Sequence, residues 1–203
     1  MTITPEMLPL VELTQPQIDA IVASVPQGVA NIQDIYPLAP LQAGILFHHM
    51  LQTTGDTYLQ RSLLSFDSRA RMDAFIDALK TVIARHDILR TAVLWNGLPE
   101  PVQVVYRAAE LPLQELALDP GRHGSAMEQL QAKTNPRTTR LDVQRAPMLA
   151  ASYALDADSG EYHLALLDHH LVCDHVSLDF IIGEIGLLLA KQRRVAAVDS
   201  AVP

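Results

Sequence analysis

Residues 168–175 read Asp-His-His-Leu-Val-Cys-Asp-His, three imidazoles and two carboxylates within eight positions. Such groups can move protons near neutral pH, hold a metal ion or polarise a bond. Three readings of these residues stand side by side. In the first they are polar residues at a strand exit, some of them capping a helix. In the second they bind a metal. Adjacent histidines on an extended segment point to opposite sides, so His169 and His170 do not readily share one ion. His170 and Asp174 could share one, but no third ligand is evident nearby, and no metal is expected. In the third reading one imidazole is a general base or proton shuttle, with Asp174 orienting or anchoring it.

A buried Asp174 would need a cation. Arg61 stands in an otherwise apolar segment, an unusual place for a guanidinium without a carboxylate to meet, so Arg61 with Asp174 is the pairing the sequence suggests. Cys173 is flanked by Val172 and has no cation beside it, which favours a small core residue over a nucleophile. Ser177 is better used as a helix cap. The nine glycines of the chain are not clustered, so no phosphate-cradling loop is present.

The elements that must position these groups are legible from hydropathy. Residues 1–13 lack periodicity and read as a linker or tail. Thr14 opens a short helix with the stripe Ile18, Ile21, Val22 and Val25. A proline-punctuated stretch, Tyr36 to Pro40, leads into an apolar helix through Leu41, Ile45, Leu46 and Met50, and Gly55-Asp56 marks a turn. Leu59 to Phe66 reads as an interior strand. Met72, Phe75, Ile76, Leu79, Val82 and Ile83 recur at three- and four-residue steps, the strongest helical pattern in the chain. Thr91 to Trp95 and Val102 to Arg107 form a hairpin or a close variant. Residues 108–124 are loop or a short edge strand. Ser125 and Glu128 make a capping box for a short helix. Met148 to Leu155 and Tyr162 to Leu167 are strands. The last helix begins near Ser177 and frays at Lys191 to Arg194, and 195–203 reads as a tail or cut point. Irregular alternation with hairpins predicts an α+β fold, a mixed β-sheet with helices packed on it.

Composition narrows the function. The chain has 203 residues, a net charge of -8 and 49% hydrophobic residues, enough for a real core. The negative field disfavours nucleic acid as a partner. One cysteine excludes a disulfide framework and suits a reducing, cytoplasmic setting. The longest apolar helix is broken by Glu184, so no membrane span is expected. No Lys or Arg precedes Arg61, whereas five acidic residues do. This acidic stretch reads as a solvated edge.

Several segments together resemble one family. His169-His170-Leu171-Val172-Cys173-Asp174 resembles the HHxxxDG motif of nonribosomal peptide synthetase condensation domains. Arg85-His86-Asp87-Ile88-Leu89-Arg90-Thr91 resembles their RHExLRT segment, and Tyr36 to Leu46 their opening helix motif in subclasses that take a D-configured donor. His48-His49-Met50-Leu51-Gln52-Thr53-Thr54-Gly55-Asp56 resembles the HH[I/L]xxxxGD segment of dual epimerisation/condensation domains, with Met50 in place of Ile or Leu. His175 stands where the motif has Gly.

The resemblance implies the N-terminal lobe of a chloramphenicol-acetyltransferase-like fold over residues 14–194, with a C-terminal lobe outside the chain. It implies peptide-bond formation between thioesters carried on phosphopantetheine arms, brought by upstream and downstream carrier domains, with no cofactor held by this lobe. His170 is then the catalytic imidazole, and His169, Asp174 and Arg61 support it. His48, His49 and His175 are candidates for epimerisation or for shaping the site. A condensation-only lobe and a non-catalytic platform for carrier proteins remain alternatives.

Overall fold

The computed structural model describes residues 2–119, 121 and 124–199, without the side chains of 175, 176 and 193–199. In chain order the main elements are α1 (Gln15–Ser24), β1 (Ile32–Pro37), α2 (Pro40–Leu51), β2 (Leu59–Phe66), α3 (Arg69–Arg85), β3 (Thr91–Leu94) and β4 (Val102–Tyr106). They are followed by β5 (Leu113–Glu115), α4 (Ala126–Lys133), β6 (Leu149–Leu155), β7 (Tyr162–His169) and α5 (His175–Asp199). The α+β class holds, but the strands divide into two sheets. One is antiparallel, in the order β1-β4-β3. The other is mixed, in the order β2-β7-β6-β5, with β5 parallel to β6.

The main core lies between the mixed sheet and α3. The three- and four-residue spacing of α3 becomes a buried stripe of Met72, Phe75, Ile76, Leu79, Val82 and Ile83. Each large side chain in it contributes on the order of 1.5–3 kcal/mol by leaving water. Central β7 is buried along nearly its whole length, which explains its near-continuous apolar run. A second core joins α1 to the antiparallel sheet through Ile18, Ile21, Val25, Ile35, Val104 and Tyr106. Leu8 and Leu13 are buried in it as well, so the segment expected as linker or tail packs against the domain.

β1 spans residues 32–35, for which no element was expected, and overlaps the proline-punctuated stretch only at Tyr36 and Pro37. Its register shifts between Ile32 and Asp34, so both Ile32 and Ile35 face inward. That bulge breaks the period of two by which a strand is read. Ser125 and Glu128 form the predicted capping box on α4. α5 begins earlier than expected. Asp174 Oδ1 accepts from the Ser177 N–H at 2.7 Å, so Asp174 and not Ser177 caps the helix. The helix runs on through Asp199.

The Arg85-to-Thr91 segment is structural. Arg85 and His86 reach Glu184 of α5 at 2.6 and 2.7 Å and tie α3 to α5. Arg90 is buried. It donates to the Tyr106 carbonyl, to Asp87 and to Gln33.

Candidate functional site

The site forms where β7 ends beside the start of β2. Gln60 pairs with Asp168 and Leu59 with His169 across the two strands. Strand alternation then sends the two neighbouring histidines to opposite sides. His169 is fully buried. His170 is half-buried and lines a cleft of ≈ 460 Å³ with Pro40, Leu41, Gly44, Ile45, His48 and Tyr58. The His170 N–H donates to the Tyr58 carbonyl at 2.9 Å, and its ring meets the Tyr58 ring edge-on at 6.2 Å. Its Nε2 lies 2.6 Å from the Gln60 side-chain nitrogen.

His48 and His49 also diverge, because consecutive helical residues point about 100° apart. His48 is exposed in the same cleft as His170, with its ring 6.1 Å from that of Tyr58. His49 is buried and joins a network beneath. Asp56 Oδ2 lies 2.5 Å from His49 Nδ1 and 3.0 Å from His169 Nε2, and Asp56 Oδ1 accepts from the Tyr58 N–H at 2.9 Å. Burial alone would raise the Asp56 pKa. Hydrogen bonds from His169, His49 and the Tyr58 N–H outweigh it and hold this carboxyl well below the usual carboxylate range. The turn at Gly55 delivers Asp56 to this place. Gly55 has φ +67°, and a Cβ there would stand 2.2 Å from the Arg137 carbonyl oxygen, so only glycine fits. Arg140 closes the group. It donates to the Gly55 carbonyl at 2.7 Å and to the His49 carbonyl at 2.8 Å, at the carboxyl end of α2.

His49, Asp56 and His169 bring possible ligand atoms within 4.8 Å of one another, a set that could suggest a metal centre. The protons argue against it. His169 Nδ1 accepts from the Leu171 N–H, so its proton sits on Nε2, the atom a metal would need bare. The Arg140 guanidinium lies 3.3 Å from His49 Nδ1, the nitrogen that faces Asp56, and its positive charge disfavours a cation beside it. The cluster is a hydrogen-bonded clasp.

Two expected features are corrected. Arg61 does not pair with Asp174: its guanidinium donates to the Gln131 carbonyl at 2.6 Å. Asp174 is exposed, and its carboxyl is held below its ordinary range by the hydrogen bonds from Ser177 at the start of α5. A helix cap needs no buried cation. Cys173 is buried, as expected of a small core residue. Burial, together with the charges of Asp168 and Asp174, pushes its thiol up to about 12, which rules out a thiolate nucleophile near neutrality. The side chain of His175 lies outside the described residues. The sequence reading missed Gln60, Tyr58 and Arg140. Asp56 appeared in it only as half of a turn signal and as the end of a motif. Its position just after an obligatory glycine was the available clue.

A mixed sheet with helices packed on it carries a histidine pair at the exit of β7, one ring buried and the other in a cleft. The condensation-domain family matches residues 32–195, and the chain belongs to that family. The chain is 51% identical over 177 residues, 87% of its length, to malpinin synthetase of Mortierella alpina. It is 46% identical over 187 residues, 92% of its length, to malpibaldin synthetase of the same organism. It spans only 2% and 3% of those two proteins. Among solved structures, the first condensation domain of the CDA synthetase aligns with TM-score 0.63 at 17% identity, covering 80% of this chain and 40% of that one. That likeness supports the chloramphenicol-acetyltransferase-like fold.

Proposed function

We propose that this chain is the N-terminal, histidine-bearing lobe of a peptide-bond-forming condensation domain, with His170 as its catalytic imidazole. What carries the reading is that His170 lines an open cleft while its neighbour His169 is buried. In the reaction the acceptor's amine attacks the donor's thioester carbonyl. A C–N bond forms, the C–S bond breaks, and the amine's proton passes through the imidazole to the departing thiolate. The thioester is already activated, so much of the rate comes from holding two tethered reactants together. Upstream and downstream carrier domains deliver both on phosphopantetheine arms, and a second lobe supplies the opposite wall. The isolated lobe is therefore inactive.

The dual epimerisation/condensation reading gains support from His48, which lines the cleft beside His170. One imidazole removes the proton α to the thioester, and the other returns a proton to the opposite face. His49, held on Asp56, has a structural part in this scheme. His169 and Asp56 support the loop, Asp174 caps α5, and Arg61 fastens β2 to α4.

In the intact synthetase, His170→Ala abolishes peptide-bond formation while loaded carrier domains still bind. Turnover at the normal rate would refute the assignment. Loading an L-configured donor tests epimerisation. A D residue in the product that is lost in His48→Ala supports it, and an L product establishes a condensation-only lobe. No product from wild type with either donor isomer would leave the carrier-binding platform as the answer.

A further inference from the structure

Beside the cleft, against the ring of His170, lies a group that neither the motif nor the family assignment explains. Gln60 projects from β2, and its amide nitrogen lies 2.6 Å from His170 Nε2. Its amide oxygen is buried without a hydrogen-bond partner. We propose that Gln60 is the positioning residue of His170, an uncharged partner that holds the neutral ring by Nε2 and gives up that nitrogen's lone pair as the substrate's proton arrives. This rests on the reading of His170 as the base.

The chemistry follows from what an amide can offer. Its N–H₂ end donates to a bare Nε2, and its oxygen accepts from an Nε2–H. A half-turn about the last side-chain torsion exchanges the two. As the amide turns, its N–H₂ end releases the Nε2 lone pair, the substrate's proton is taken up there, and the amide oxygen then accepts the Nε2–H. Gln60 therefore serves both protonation states in turn. A carboxylate at the same place would also orient the ring, but its charge would favour the imidazolium and leave less free base near neutral pH. The other groups facing this ring or its surroundings are His48 of α2, the Tyr58 hydroxyl-bearing ring before β2, and Asp174, whose charge is felt by His170.

The test compares pH–rate profiles of wild type, Gln60→Glu, Gln60→Met and His170→Ala in the intact synthetase under single turnover. In Gln60→Glu the ascending limb moves to higher pH by about one pH unit or more. In Gln60→Met the limb stays near the wild-type position. The rate falls about tenfold or more at unchanged KM, because the ring is no longer oriented. If His170→Ala is inactive and both Gln60 variants follow the wild-type profile and rate, Gln60 has no positioning role and His170 keeps its own. If Gln60→Glu does not fold, a wild-type rate in Gln60→Met overturns the proposal by itself. If His170→Ala turns over normally, the base assignment fails, and the role of Gln60 fails with it.

Discussion

Asp56 shows how much one buried carboxylate can organise. One oxygen faces His49 and His169, and the other accepts from the Tyr58 N–H, while the Tyr58 carbonyl in turn accepts from the His170 N–H. The backbone of His170 is thus tied to Asp56 by two short routes, through its neighbour's ring and through Tyr58. Removing one member of such a buried group costs about 3–5 kcal/mol. The direction of its pKa sets the pH dependence. A carboxyl held below its ordinary range in the folded chain stabilises fully at neutral pH. That contribution is lost as pH falls from about 5 toward the folded pKa. Asp56→Asn should therefore be less stable than wild type at pH 7, and the difference should shrink steadily toward pH 3. Urea unfolding at several pH values measures it, and a gap that stays constant with pH would count against an ionised Asp56 in the folded state.

At the level of elements, β2 and β7 set the geometry and α5 closes the histidine loop. Pairing of Leu59 with His169 and of Gln60 with Asp168 decides which imidazole faces inward. A slip of one residue would exchange their positions. Asp174 contributes by starting α5, through its bond to the Ser177 N–H. Asp174→Ala should yield soluble, folded protein with Tm lowered by roughly 2–4 °C, the cost of a lost cap in a domain of this size. Thermal unfolding checks it. Insoluble or unfolded protein would show that Asp174 does more than cap. Glu184 ties α5 to α3 through Arg85 and His86, yet these groups are partly exposed. They contribute more to the angle between the helices than to stability.

Across the whole molecule, apolar side chains gather on the open face beside the cleft. Leu41, Phe47, Met50 and Leu51 of α2 are 76%, 61%, 52% and 65% exposed. An apolar patch of this kind is a surface that contacts something, and the second lobe proposed above would cover it. The isolated chain should self-associate at micromolar concentration, and Phe47→Glu with Leu51→Glu should shift it to monomer. Sedimentation velocity decides this. A wild-type chain that stays monomeric would remove the support that the exposed face lends to a missing partner wall.

The sequence by itself established the α+β class, the α3 stripe, the capping box at Ser125 and the two histidine pairs, because each is written in local spacing or side-chain type. It did not reveal β1, whose bulge breaks the alternation, or the division of the strands into two sheets. Nor could it say that His48 and His170 share a cleft while His49 and His169 share Asp56, since that follows from pairing residues more than a hundred positions apart. The expected Arg61–Asp174 pair failed for the same reason. Complementary charge is visible in sequence, but whether two charges meet depends on chain path, and here Gln131 lay closer to the guanidinium and the first turn of α5 closer to the carboxylate.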